Sequence, residues 1–373
     1  MKGWPVLGVF LIEVLLFLAH WFIYRTWVVF CGGLYPDASL ALRTIVFVLA
    51  FSFVSAALLS FRFSNFVVRV FYKLAALWLG LLNFLFLAAC LCWMVWYAAR
   101  VARLHPNAAS FRPVVAAALF ALALVASLYG IVNALWIRLR RVAIQIPALP
   151  ASWRGRRAVL FSDLHLGNVN GAEFCRRVVA MAARLNPDIV FLPGDLFDGT
   201  KADFDRLAAP LKKLAPPLGI FFSTGNHEEF GGAAHCEEAI ARAGVRVLHN
   251  QLVTVDGVAI AGVPYSDSTY PIRMKATLEG MRLDRARPGI LLNHAPMRLP
   301  IVEQSGFALQ LSGHTHGGQM FPFTWITRRA FGKFTYGLQR FGALQVYTSS
   351  GAGTWGPPMR VGTHPEIVLI TFE

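Results

Sequence analysis

Acid is nearly absent from the first 150 residues. Glu13 and Asp37 stand there against twelve lysines and arginines, whereas the remaining 223 residues hold eighteen acids and twenty-three bases. Ten of the fifteen net positive charges therefore belong to the amino-terminal part. That asymmetry argues against a uniformly basic nucleic-acid binder, so no nucleic-acid partner is expected. Cysteine is scarce as well. Cys31, Cys90, Cys92, Cys175 and Cys236 form no dense disulfide framework, and an odd count leaves at least one unpaired or intermolecular. Cys90 and Cys92 lie in an apolar run without a companion pair and read as packing residues. The carboxy-terminal part has no internal repeat and no low-complexity tract.

Apolar sequence is what abounds: 56% of residues are hydrophobic and the mean hydropathy is +0.53. The stretches from Val6 to Tyr24, Leu40 to Phe61, Leu74 to Tyr97 and Val114 to Ile137 each approach the ~20 residues that cross a bilayer core as a helix. A signal peptide accounts for the first at most, and it lacks a small-residue cleavage site. With four spans both termini share a side with Arg62, Arg69, Lys73 and the run Arg138, Arg140, Arg141, Arg154, Arg156 and Arg157. Arg25, Arg100, Arg103 and Arg112 lie opposite. The positive-inside rule then predicts a multi-pass membrane protein with both termini and its soluble part in the cytoplasm. Trp21, Trp27, Trp93, Trp96 and Trp136 lie near span ends, as interfacial anchors do. Glu13, His20 and Asn83 form no polar stripe; local pairing is the expectation, and a transport path the alternative.

Pro147 and Pro150 close the basic run and read as a short linker. The predicted organisation is a four-helix transmembrane domain over 1–150 and a soluble domain over 151–373, its first strand near Arg157.

In the soluble part, apolar runs of strand length end repeatedly in metal-capable side chains. Residues 157–162 lead into Asp163-Leu-His165, 188–192 into Gly194-Asp195-Leu-Phe-Asp198, and 219–223 into Gly225-Asn226-His227-Glu228. Residues 288–293 lead into His294, and 308–312 into Gly313-His314-Thr-His316. Helical patterns cover 173–185 and 203–214, and Asp256-Gly257 marks a hairpin. Strand candidates at 344–348 and 366–372 complete the pattern. The mixture predicts an α/β fold of two packed mixed sheets with helices outside. Asp163, His165, Asp195, Asn226, His294, His314 and His316 mix carboxylate, amide and imidazole donors, which suit divalent metals of intermediate hardness. No cysteine joins them, against a closed structural zinc site.

These five blocks, in this order, resemble the signature of the calcineurin-like metallophosphoesterases, over about residues 155 to 373. The Gly-His-Thr-His-Gly-Gly-Gln ending is similar to that of the bacterial membrane-associated branch. The resemblance implies a four-layer sandwich and two divalent metal ions, with Mn²⁺ favoured and Mg²⁺, Zn²⁺ or Fe as alternatives. Asp195 would bridge them; Asp163, His165 and His316 would hold one, and Asn226, His294 and His314 the other. It also implies in-line attack of water on phosphorus, with His227 as the non-ligating catalytic histidine and Glu228 orienting it by a hydrogen bond. Asp198 is assigned to hydrogen bonding behind the ligands.

The expected function is phosphoester hydrolysis near a membrane, with membrane lipids as partners and a phosphorylated, lipid-linked substrate. A lipid-linked pyrophosphate such as UDP-2,3-diacylglucosamine is the specific candidate. The alternatives are a broad-specificity phosphodiesterase, and a transporter or membrane sensor regulated by the soluble domain. The segment 321–341, which carries Phe321, Phe323, Trp325, Ile326, Phe331 and Phe334 with Arg328, Arg329 and Lys333, reads equally as a membrane-facing flap and as core with a solvated basic edge.

Overall fold

The computed structural model describes residues 4–32, 36–104 and 110–373. The chain divides into two compact units, Met1–Val132 with Gly356–Met359, and Asn133–Trp355 with Arg360–Glu373.

The first unit contains four long apolar helices, α1 (Trp4–Cys31), α2 (Pro36–Arg62), α3 (Phe66–Val101) and α4 (Phe111–Leu135). All four are long and apolar enough to cross a membrane. The third is longer than the sequence suggested: Asn65 caps its start by accepting from the Val68 N–H at 2.9 Å, and it runs 36 residues. At 1.5 Å per residue that is about 54 Å, well beyond a ~30 Å hydrocarbon core, so its basic ends reach past the apolar layer. His20 pairs locally: Trp78 Nε1 donates to its Nε2 at 2.8 Å, while its Nδ1 lies 2.7 Å from the Leu16 carbonyl. Trp93 on α3 likewise donates to Thr26 on α1 at 2.9 Å. The Arg100 and Arg112 guanidinium groups lie 5.4 and 5.3 Å from the Trp96 ring centre, a cation–aromatic cluster suited to a membrane–water boundary.

The second unit holds twelve strands: β1 (Arg138–Ile144), β2 (Arg157–Leu160), β3 (Ile189–Leu192), β4 (Ile220–Phe222), β5 (Arg246–Val247), β6 (Gln251–Val255), β7 (Val258–Val263), β8 (Gly289–Asn293), β9 (Leu309–Ser312), β10 (Gly337–Phe341), β11 (Leu344–Thr348) and β12 (Glu366–Phe372). They form two six-stranded mixed sheets, ordered β1-β12-β2-β3-β4-β5 and β10-β11-β9-β8-β7-β6. Alternation along the strands makes the layers. Ala158 and Leu160 of β2 and Ile189 and Phe191 of β3 face Ile290 and Leu292 of β8 and Leu309 and Leu311 of β9 in the core between the sheets. The intervening Val159, Val190 and Leu192 pack on the other face with Val178, Val179 and Ala182 of the helix Ala172–Ala183. On the outer face of the second sheet, Val263 and Leu291 meet Met274, Leu278 and Val302 from two helices. The order helix, sheet, sheet, helix is the sandwich expected.

The basic run, placed with the transmembrane part by the expected boundary at residue 150, belongs to the second unit. Arg138 to Ile144 form β1, an edge strand paired in parallel with β12 from Arg138↔Glu366 to Ile144↔Phe372. Its partner lies more than 220 residues away in sequence, and arginines hide its apolar alternation; exposed Arg140 and Arg141 are what an edge strand carries to avoid further pairing. The chain thus passes from the last turn of α4 into the first sheet through Trp136 and Ile137.

Trp153 locks the two sheets together. Fully buried, it packs on Phe372 of β12 with ring centres 5.3 Å apart and donates from Nε1 to the Val255 carbonyl of β6 at 3.1 Å. Trp153→Ala is expected to cost about 3–5 kcal/mol and Trp153→Phe about 1–2 kcal/mol, the latter by leaving that carbonyl unpaired. Denaturant melts of the detergent-solubilised protein check this; equal losses for the two variants would contradict a separate hydrogen-bond contribution.

Candidate metal centre

Five strands from both sheets deliver their C-terminal loops to one place. Asp163 and His165 follow β2, Asp195 follows β3, Asn226 and His227 open the helix Asn226–Gly231 after β4, His294 follows β8, and His314 and His316 follow β9. Backbone bonds between neighbouring loops fix their spacing: Asp163 N–H donates to the Gly194 carbonyl at 3.2 Å, His165 to Asp195 at 3.1 Å and Gly313 to His294 at 2.8 Å.

The loops turn sharply to aim these side chains inward. Asp163, His165, Asp195, His314 and His316 all adopt positive φ, between 47° and 68°, a region costly for residues with a Cβ. Close approach then demands glycine at two positions. A Cβ on Gly225 would collide with the Asp195 carboxylate, and one on Gly313 with that of Asp163.

Two groups of donors result. Asp163, His165 and His316 form one, and Asp195, His294 and His314 the other; within each, ligand atoms lie within 4.8 Å of one another. Asp195 also falls within that distance of His165 and His227, so its carboxylate stands between the groups. Its Oδ1 accepts the His227 N–H at 3.0 Å, while Oδ2 lies 3.1 Å from His294 Nε2 and 3.8 Å from His165 Nε2. His314 Nδ1 lies 3.0 Å from Asn226 Oδ1 and 3.3 Å from His294 Nε2. His165 Nε2 faces His316 Nε2 at 3.0 Å, and His316 Nε2 is 3.5 Å from Asp163 Oδ1. Donor atoms about 2.1 Å from a common ion lie roughly 3.0–3.4 Å apart, so these separations suit shared cations. All seven expected ligands are thus gathered, as two His/Asp triads with Asn226 beside the second, and the donor chemistry fits a pair of divalent ions.

The supporting contacts differ from expectation in one respect. Glu228 does not orient His227; its carboxylate accepts backbone N–H groups of Gly225 at 2.8 Å, Phe197 at 2.9 Å and Asp195 at 3.0 Å. As the third helical residue it reaches back over its own helix start and ties it to the β3 loop. His227 is oriented by the Asp198 main chain: its Nδ1 donates to that carbonyl at 3.0 Å, since a carbonyl only accepts. The Asp198 carboxylate stands 3.6 Å from His165 Nδ1, beyond a good hydrogen bond, and 3.9 Å from His227 Nδ1.

Arg360 is a supporting residue that no motif announces. It is fully buried and donates to the main-chain carbonyls of His316 at 3.0 Å, Ser350 at 2.8 Å and Gly353 at 2.6 Å, with Nη2 3.2 Å from His316 Nδ1. It ties the 350–360 loop to a ligand of the first group. Around the opening, Trp355 and Phe230 stand 6.1 and 5.5 Å from His227, and Tyr265 and Phe331 stand 5.4 and 6.0 Å from His314, between ring centres.

Burial and mutual charge set the protonation of the metal-free cluster. Burial acts to lower His294, but the adjacent Asp195 carboxylate overrides it and lifts the imidazole to about 10. Burial would likewise raise Asp195, and positive His294 instead holds it well below the usual carboxylate range. Burial and then positive His294 push His314 down to about 3, so its lone pair is available. Burial, reinforced by Arg360, depresses His316 in the same way. Burial and the Asp195 charge raise Glu228 to about 7.

A family model described as "Calcineurin-like phosphoesterase" matches residues 156–318. The chain is 34% identical over 285 residues to a "Transmembrane protein with metallophosphoesterase domain" of Danio rerio, covering 71% of this chain and 63% of that protein. An uncharacterized metallophosphoesterase of Campylobacter jejuni is 31% identical, with coverage of 63% of each chain. One from Aquifex aeolicus is 32% identical over 252 residues, 66% of this chain and 95% of its own length. The chain therefore spans less than two thirds of the first two relatives, and similar proteins occur in both bacteria and eukaryotes.

Two measurements test the centre. His294 carries a proton below its raised value of about 10 and must lose it to bind a cation, so metal affinity is expected to rise up to about tenfold per pH unit between about pH 6 and 9. Titration calorimetry at several pH values reads this directly, and a flat profile would contradict a protonated His294. Arg360→Lys, which keeps the charge and loses the forked geometry, should weaken metal binding about 10–100-fold while the protein stays folded. Metal analysis after dialysis, beside a thermal melt, separates the two effects.

Proposed function

We propose that this chain, which belongs to the calcineurin-like phosphoesterases, is a two-metal phosphoester hydrolase that works at a membrane on a phosphoester carried by a lipid. The observation that carries the chemistry is the Asp195 carboxylate standing between two His/Asp triads. The resident ions are proposed to be Mn²⁺, with Mg²⁺, Zn²⁺ or Fe as substitutes; Asp163, His165 and His316 would hold one, Asn226, His294 and His314 the other, and Asp195 both. Bound cations supply charge neutralisation at the phosphoryl oxygens and ease deprotonation of the attacking water.

The chain's own residues do the rest. His227 is nine-tenths buried beside the cluster, and its Nδ1 proton is committed to the Asp198 carbonyl. That leaves Nε2 as the atom that exchanges a proton with the leaving oxygen, so His227 is assigned as the general acid. Burial, then the nearby His165, lowers the imidazole below its ordinary value, so its acid form is already the minor one at neutrality and grows as pH falls. Glu228 is assigned a positioning role, through the three N–H groups it holds. Trp355 and Phe230, both exposed, flank His227 at ring separations of 6.1 and 5.5 Å.

The lipid substrate is proposed from the four apolar helices and from the short passage between α4 and β1, which hold the hydrolase part within a few residues of a span end. A lipid-linked pyrophosphate, UDP-2,3-diacylglucosamine in particular, is the proposed compound. A cytoplasmic face of a bacterial inner membrane is the proposed setting, on the charge asymmetry of the connections.

Purified protein in lipid nanodiscs, loaded with Mn²⁺, should hydrolyse phosphodiesters, and Asp195→Asn should reduce turnover by at least about 10³-fold. His227→Ala should cost about 10²–10⁴-fold on substrates with alkoxide leaving groups and far less on p-nitrophenyl esters, whose leaving group needs no proton. Equal losses on both would remove the general-acid assignment. Turnover of a small bis-substituted phosphate without any of an acylated UDP-sugar would replace the lipid substrate by a broad phosphodiesterase activity. No hydrolysis of any phosphoester by the metal-loaded protein would overturn the reading altogether.

A further inference from the structure

One surface feature is not used by the hydrolytic site. The helix Phe323–Phe331 contains no buried residue, although it carries four large apolar side chains. Trp325 is 64% exposed and Ile326 49%. A soluble helix normally buries its apolar side chains, so the outward face of this helix, with Trp325 and Ile326, lacks a cover within its own unit.

Its polar residues identify the missing partner. Trp325, Arg328 and Arg329 stand at positions i, i+3 and i+4 and therefore share one helix face. Both arginines are exposed and, among the described residues, neither guanidinium group is in an ion pair or hydrogen bond. A tryptophan flanked by two free guanidinium groups is the composition that settles at the boundary of acyl chains and anionic headgroups. Basic residues held near an anionic surface are drawn to it. A protein partner would have to answer the same mixture with acidic and apolar groups of its own, whereas a membrane is at hand: α1 to α4 belong to this same chain.

The helix also adjoins the site. Its last residue, Phe331, stands 6.0 Å from the His314 ring. We infer that the Trp325–Arg328–Arg329 face of this helix docks onto an anionic bilayer surface and brings the opening of the metal centre to the headgroup layer. This docking does not depend on the hydrolase reading; it requires only that the face meet lipid.

The test uses the full-length protein in nanodiscs of phosphatidylglycerol whose acyl chains are either plain or brominated. The difference in emission between wild type and Trp325→Phe isolates that one indole. In brominated phosphatidylglycerol this difference should fall by at least about half, and by clearly less in brominated phosphatidylcholine. Arg328→Glu/Arg329→Glu, with an unchanged circular dichroism spectrum, should abolish the quenching in phosphatidylglycerol. An unquenched Trp325 would overturn the docking, and so would cross-linking between copies at this helix, which would make a second chain the partner. Quenching that is indifferent to lipid charge and to the double substitution would overturn the anionic specificity. Because quenching reads no turnover, failure of the hydrolase reading and failure of docking give different results.

Discussion

Asp163 and Asp195 are buried carboxylates that each lie within 4.8 Å of His165, and the construction of the soluble unit follows from what that burial requires. Two desolvated negative charges persist only among donors and cations. Main-chain N–H groups meet part of the need: His314 donates to Asp163 and His227 to Asp195, each at 3.0 Å. The remaining oxygen lone pairs turn toward histidines whose nitrogens lie at distances set for sharing an ion. Against the burial that lowers it, the Asp195 carboxylate raises His294 to about 10, and Arg360 supplies a further buried positive charge behind His316.

That electrostatic demand explains the backbone. Metal-capable side chains from five strands reach one point only if their loops reverse within one or two residues, and left-handed φ at five of the seven is how they do it. Short loops with strained residues hold because the strands behind them are rigid and buried on both faces, and because glycines at 225 and 313 let main chain lie against carboxylate. Precision at the centre is thus a property of the sandwich. Glu228 illustrates the same dependence, since its three backbone bonds join the β3 loop to the helix after β4 rather than touching the reacting groups.

Much of this was legible from the chain. Apolar runs of the right length announced all four membrane-crossing helices. Nine of the twelve strands appear where alternation or apolar runs indicated, and histidines and aspartates of the strand-end motifs form two triads. The exceptions share a cause. The strand β1 is an arginine-rich edge whose partner lies at the far end of the chain, β5 is two residues long, and β10 lies in an aromatic-rich segment that local pattern could not divide into helix and strand. Nothing local gives Arg360 or Tyr265 its role, because their partners are set by folding and not by spacing.

The sequence by itself determined the chemistry: which donors are available, that they sit at strand ends, and that a long apolar region accompanies them. Those properties are local, written in side-chain type and in periods of two and 3.6 residues. Tertiary structure alone decided that Glu228 holds backbone while the Asp198 carbonyl orients His227, that the basic run is a strand, and that the apolar helix Phe323–Phe331 stays uncovered. Each of these depends on which distant segment arrives beside a residue, and neither composition nor spacing encodes that neighbour.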